Sequence, residues 1–480
     1  MAVSAEPTGV AASGRRFARN IRWQFVANGS QALLGGAYLV VLGRYLGPAD
    51  FGIFSAITAL VSVIGLLLEM RLQEVVARDF CHLDDDAPGR SPHALHLVDL
   101  FLLETLSRVL PALALLALSG WLASTIHLAP DSAWLLGLAA AGFVLSKSGS
   151  SVANGLLRVL GRTDLIAGCM AADWGLRLMV SLVFALVWTL HVSVALWIAL
   201  AAGALCNGAQ VMLACSKFAA RVAPISFAGW TPGGAWTRLR GAKRLIASNL
   251  GVSASDLMAK DLDVAMISSL LTADKVGLYK MAKSFVQVLW RAIDPFYIAI
   301  MPEVQKLWQK REINALARLL RKTSIRLLML AITVVVLGCG AVALLGVRVL
   351  GTGYAEVPLL MLAMSGWVVV CAPLIWGIPL AVAINRPELS VGGSMLGLVI
   401  GLAAFTALTP TLGLMGAALA WNATLISGFM FTTGVAVWIT KSMQLPQTSE
   451  NPEQHSDEDQ PAVEPREPLL DHPEDRRTAG

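Results

Sequence analysis

Apolar runs of membrane-crossing length recur along almost the whole chain, separated by short turns rich in Gly, Pro, Asp and Arg. A helix needs about 20 mostly apolar residues to cross a hydrocarbon layer ~30 Å thick. Read on that scale, the sequence predicts about twelve spans, at 23–46, 50–77, 95–126, 133–159, 164–189, 192–216, 244–271, 273–304, 325–347, 356–384, 389–410 and 413–440. The ten-residue alternation of an outer-membrane barrel is absent. The first run is longer than the apolar core of a signal peptide and lacks a clear cleavage site. The expected fold is therefore all-α and polytopic.

Polar positions interrupt this pattern most heavily between Ser253 and Asp294. These two spans carry Asp256, Lys260, Asp261, Asp263, Lys280, Lys283, Arg291 and Asp294. One charge at the bilayer centre costs roughly 2.5–3.5 kcal/mol on insertion scales, so the chain must hide these groups from lipid. Asp256, Lys260 and Asp263 fall at i, i+4 and i+7, on one helix face. Lys280, Lys283, Gln287, Arg291 and Asp294 form a second stripe. Two readings fit: the wall of a water-filled cavity, or mutually neutralised ion pairs that hold helices together. Span 1 repeats the theme with Gln24, Asn28, Gln31 and Tyr38 on one face, and Lys147 lies within span 4. Glu104 with Arg108, and Asp173 with Arg177, stand at i, i+4 and read as intrahelical salt bridges. Pro295 is expected to kink span 8.

The chain also echoes itself. Pro48-Ala49-Asp50-Phe51-Gly52-Ile53-Phe54 returns as Ala273-Asp274-Lys275-Val276-Gly277-Leu278-Tyr279, and Arg162-Thr163-Asp164-Leu165 as Arg386-Pro387-Glu388-Leu389. The near-equal offsets predict two parallel six-helix repeats, a build that places substrate between the repeats near the midplane. The resulting division is a segment 1–22, an N-lobe 23–216, a linker 217–243 with a flexible core at Trp230-Thr231-Pro232-Gly233-Gly234, a C-lobe 244–440, and a tail 441–480.

Composition agrees with a membrane body. The chain is 56% hydrophobic, only 14% charged, and has a mean hydropathy of +0.65. The stretch 446–480 holds ten acids and three bases, a net −7, which leaves +12 for the rest of the +5 chain. The proline-bearing, polar tail is expected to be disordered. A basic membrane body satisfies the positive-inside rule without invoking nucleic acid. Loops assigned to the outer side hold only Arg44, Lys275 and Arg348, so both termini are expected in the cytoplasm. Lys306, Lys310, Arg311, Arg318, Arg321, Lys322 and Arg326 suit an anionic inner leaflet. The six cysteines form no CxxC or metal-binding spacing. Asp84-Asp85-Asp86 lacks the glycine turn and further oxygen ligands of a calcium loop. No nucleotide-binding glycine motif is present. No cofactor or metal is expected.

Leu42-Gly43-Arg44-Tyr45-Leu46-Gly47-Pro48-Ala49-Asp50-Phe51-Gly52-Ile53-Phe54 resembles the span 1–2 signature of polysaccharide flippases of the Wzx type, in the MATE-like MOP superfamily. Asp274 to Tyr279, Pro295 to Pro302 and Gly413 to Ala418 are similar to that family's second-half features, and the resemblance runs over about 17–440. It implies a V of two six-helix lobes with spans 1, 2, 7 and 8 lining a central cavity. It also implies a membrane transporter, not an enzyme, that flips a polyprenyl-pyrophosphate-linked oligosaccharide from the cytoplasmic to the outer face of the bacterial inner membrane, by alternating access, for surface polysaccharide biosynthesis. Polysaccharide polymerase and chain-length machinery are the expected partners. On the residues themselves, Lys260, Lys280, Lys283 and Arg291 offer cationic partners to a pyrophosphate. Asp256, Asp263 and Asp294 are candidates for balancing that charge or for binding a coupling proton or sodium. Trp290 and Tyr279 are open to two readings, stacking on sugars or packing in the core. The competing functions are a cation-coupled drug antiporter of the same superfamily, which favours an acidic cavity, and a peptidoglycan-precursor flippase, which usually has more spans. A membrane glycan polymerase or ligase would need a large outer loop, and none is present.

Overall fold

The computed structural model describes residues 9–67, 69–80, 91–125, 133–221, 230–255, 260–386 and 388–442. Asp256, the Asp84-Asp85-Asp86 loop and the acidic tail lie outside them. Described residues up to Val437 belong to one compact unit, and the last five residues of the final helix to a second. Among the described residues there is helix and no strand.

The first helix, α1 (Gly9–Leu67), has 59 residues. At 1.5 Å per residue it is about three times longer than one crossing needs. It turns back at Gly47, whose φ of 75° and ψ of 171° suit only a residue without a Cβ. Pro48, with no N–H to lose, starts the second arm. The expected turn between spans 1 and 2 is thus present. The last helix, Glu388–Ser442, is folded in the same way at Gly413 (φ 58°).

Between them run α2 (Leu72–Asp79), α3 (Ser91–Ala117), α4 (Ser119–Thr125), α5 (Trp134–Lys147), α6 (Ser150–Val159), α7 (Thr163–Val187), α8 (Val192–Arg221), α9 (Pro232–Leu239) and α10 (Lys243–Ser255). Then come α11 (Leu262–Leu270), α12 (Ala273–Arg291), α13 (Asp294–Gln309), α14 (Ile313–Leu350), α15 (Val357–Met364), α16 (Gly366–Cys371), α17 (Gly377–Ala383) and the folded α18 (Glu388–Ser442). Seven stretches of helix among the described residues are long and apolar enough to cross a membrane. Two of these are the folded hairpins, and the broken pairs α5–α6, α10–α11 and α12–α13 supply further crossings. The total is about twelve. Large apolar side chains such as Leu33, Leu205, Met212 and Leu344 lie on the outside of the bundle, as a lipid solvent permits.

Span 8 is interrupted beside Pro295, as expected: α12 ends at Arg291, four residues before the proline, and α13 begins at Asp294, where a proline removes the i→i−4 hydrogen bond. One expectation is corrected: the linker core is not wholly flexible. Thr231 caps α9, its hydroxyl oxygen accepting from Gly234 N at 3.2 Å. The buried Asp99 carboxylate on α3 then receives Arg238 at 2.5 and 3.0 Å and Trp230 Nε1 at 2.8 Å.

The echoed motifs meet face to face. A Cβ on Gly52 would stand 1.7 Å from the Ala273 carbonyl oxygen, and one on Gly277 2.1 Å from that of Pro48. Each glycine therefore lets the other repeat's backbone approach, as a pseudo-twofold axis requires. The second echo is also structural. Helices α7 and α18 begin 225 residues apart, at Thr163 and Glu388. Each is entered through a short ion pair, Arg162–Asp164 at 3.0 Å and Arg386–Glu388 at 3.3 Å.

A second seam closes where span 2 breaks. Arg71 adopts a left-handed conformation (φ 44°) between α1 and α2, which interrupts the helical ladder there, although the Arg71 carbonyl still accepts from Glu74 N at 3.0 Å. Helix α10 supplies further partners. Ser253 Oγ donates to Glu69 O at 2.9 Å, and Asn249 Nδ2 lies 3.3 Å from both Met70 O and Arg71 O. Broken backbone at membrane depth is tolerated only with such partners or beside water.

Candidate functional site

Between the two seams lies a cavity of about 780 Å³. The first half contributes Gln31, Tyr38, Thr58 and Ser62 from α1, Glu69 from the break after it, Arg108 from α3, Lys147 from α5, Asn154 from α6, and Trp174 and Arg177 from α7. The second half contributes Lys260, Asp261, Lys280, Ser284, Gln287 and Arg291. Gln31 and Tyr38 of the span 1 stripe thus face this space.

The stripe on α12 splits in two. Lys280 and Arg291 line the cavity, and Lys280 Nζ donates to Asp261 Oδ1 at 2.6 Å. Lys260 is exposed on the same wall. Lys283 is elsewhere: it is fully buried, and its ammonium donates to both carboxylate oxygens of Asp263, at 2.6 and 2.8 Å, and to the Lys260 carbonyl. Tyr279 donates its hydroxyl to Asp263 at 2.7 Å. The Trp421 ring lies 5.4 Å from the Lys283 nitrogen, a cation–π distance. Neither Lys283 nor Asp263 is among the cavity-lining residues. Asp294 opens α13, and its side chain is outside the described set.

Sequence periodicity favoured Asp263 over Asp261 for a simple reason. It assumed one helix through 256–263, but α11 begins only at Leu262, and Asp261, with φ −140° and ψ 2°, sits outside it. The break turns Asp261 toward Lys280. The two aromatic candidates pack in the core. Trp290 lies 4.5 Å from Trp367 and 5.8 Å from Phe429, centroid to centroid, and Tyr279 is buried.

On the first half's wall the sequence singles out Gln31, Tyr38, Arg108, Lys147 and Arg177 but not Thr58, Ser62, Asn154 or Trp174. Asp173 and Arg177 make the expected pair at 2.8 Å, and the guanidinium carbon lies 5.2 Å from the Trp174 ring centroid. The expected Glu104–Arg108 bridge does not form. Buried Glu104 instead accepts the backbone N–H groups of Ser151 and Val152, at 2.8 and 2.9 Å. It thereby caps the start of α6, where unpaired N–H groups and the helix dipole favour an anion. Arg108 reaches Gly65 O at 3.4 Å and Glu69 at 3.9 Å. Only the tertiary fold brings Glu104 to the start of α6 and Arg108 to Gly65 and Glu69, so no spacing in the sequence signals those contacts. Among the described residues no cluster of His, Cys, Asp and Glu could hold a metal.

Residues 17–308 match the family model described as "Polysaccharide biosynthesis protein". A search of curated proteins gives no sequence match. Among solved structures, the chain is similar to the inward-facing conformation of a multidrug resistance MATE family transporter of the MOP superfamily. Identity is 16%, coverage 88% of this chain and 95% of the other, and the TM-score 0.61. It is also similar to a mutant of the Vibrio cholerae MATE transporter VcmN, with 15% identity, 92% and 99% coverage and a TM-score of 0.57. The family match spans both echoed motifs of the seam and both cavity-lining stretches of the second half, so the chain belongs to the polysaccharide biosynthesis protein family, the Wzx-type flippase family that its motifs resemble, and has the MATE transporter fold of the MOP superfamily.

Proposed function

We propose that this multi-pass membrane transporter moves a polyprenyl-pyrophosphate-linked oligosaccharide from the cytoplasmic to the outer face of a bacterial inner membrane, by alternating access and without bond-making chemistry. The supporting observation is the cationic wall of the cavity. Lys260, Lys280 and Arg291 line it from the second half. An ammonium has three donors, so Lys280 keeps two beyond the one given to Asp261. Charge-assisted bonds to phosphate oxygens are among the stronger available to a protein.

A drug or cation antiporter needs a carboxylate open to its cargo. Each acid on the cavity wall already has a cation within 4 Å: Glu69 has Arg108, and Asp261 has Lys280. The Lys283–Asp263 pair fits charge balancing better than ion coupling, because a tethered ammonium already occupies the carboxylate.

The test is to replace Lys260, Lys280 and Arg291 singly with Ala and to follow flipping of a fluorescent short-chain polyprenyl-pyrophosphoryl sugar in proteoliposomes, at matched protein content. Loss of one charge-assisted bond should slow flipping by about tenfold or more for K280A and R291A. Wild-type rates in all three variants would overturn the reading.

A further inference from the structure

The central cavity opens into a side recess within the first half, with a volume of about 430 Å³. Small-ligand sites run about 300–1,000 Å³. Its wall is unusually polar for membrane depth: Ser146, Ser150, Asn154, Asn207 and Gln210 stand around the Asp173–Arg177 pair and Trp174. Lys147 lines both spaces and is exposed to them.

Lys147 differs from its neighbours. Arg177 is held by Asp173, and Arg108 by Glu69. Among the described residues no carboxylate lies within 4 Å of the Lys147 ammonium. An uncompensated lysine deep in a membrane is expensive. Here it is also deliberately placed, at the end of α5, where the span breaks at Ser148 and Gly149 (φ 76°). That break is supported on every side. Asn207 Nδ2 donates to Ser148 O at 2.8 Å, Ser150 Oγ donates to Lys147 O at 2.8 Å, and Glu104 takes the first N–H groups of α6. Interrupted helices with satisfied ends are how membrane transporters build binding sites. Because Glu104 already occupies the helix start, an incoming anion is left with Lys147. Gln210 donating to Asn154 at 2.7 Å sets amide groups beside it that suit sugar hydroxyls.

We propose that this recess receives a sugar unit carrying a carboxylate or another single anionic substituent, and that Lys147 selects for it. The proposal rests on the lipid-linked glycan reading above. In that arrangement the pyrophosphate lies at the second half's cations and the acidic sugar in the first half.

Two synthetic probes decide it: a short-chain polyprenyl pyrophosphate bearing a glucuronic-acid-terminated disaccharide, and the same lipid with glucose in place of glucuronic acid. Equilibrium binding of each to the purified full chain in nanodiscs is measured for wild type, K147M and K147R. Wild type should bind the acidic probe about tenfold or more tightly than the neutral one. K147M should bring the two affinities level, and K147R should keep most of the preference. Equal binding of both probes by wild type, or a preference that survives in K147M, overturns the proposal and leaves the flippase reading standing. Failure of wild type to bind either lipid overturns both. If neither variant folds, the wild-type ratio alone decides.

Discussion

Lys280 and Lys283 stand three residues apart on α12, and that short step separates two kinds of charge. Lys280 lines the cavity, whereas Lys283 is sealed against Asp263, Tyr279 and Trp421. Removing one member of a buried pair leaves the other charged and unpaired, at a cost of about 3–5 kcal/mol. K283A should therefore lower the melting temperature in detergent far more than K280A does. Combining K283M with D263L should recover most of the loss, because an apolar pair of similar volume is often neutral at such sites. A K283A protein that melts like wild type would show that the pair contributes little. The polar stripe itself was legible from spacing on α12. Which of its members lines the cavity was not, because Lys280 and Lys283 lie on neighbouring turns and only the position of Asp261 and Asp263 on the facing chain distinguishes them.

At the level of elements, the legible features are those set by the local backbone. Gly47-Pro48 announces a reversal because a positive φ followed by a missing N–H ends one helix and starts another. The break at Ser148 and Gly149 was hidden inside an apolar run that reads as one span, and its support, Glu104, comes from a different helix. The same holds for α9, whose anchor Asp99 lies 139 residues from Arg238 in sequence. D99A should free α9, since it removes the acceptor for three donor contacts at once. Limited trypsin digestion of the purified protein should then cut at Arg238 and Arg240 at least several-fold faster than in wild type. Unchanged cleavage would mean that α9 is held by packing alone.

For the molecule as a whole, the repeat was readable from two weak echoes that share an offset. The structure converts the first into contact, with Gly52 and Gly277 admitting each other's backbone. A methyl group at either position must push the two repeats apart, so G52A and G277A should each lower the melting temperature. The double variant should fall short of the sum, because both act on one seam. Strict additivity would argue that the glycines respond independently. The cavity below that seam was expected from charge alone, but its first-half wall emerges only when α3, α5 and α7 converge. The tie between Arg238 and Asp99 bears on how such repeats can rock. It makes α9, late in the connecting segment, a passenger of the first repeat. Only Arg240 to Ala242 remain before α10 begins at Lys243. Any hinge between the repeats along this route must be absorbed by those three residues, with Gly241 among them, and stiffening that stub would be expected to restrain the stroke without touching a single residue of the cavity.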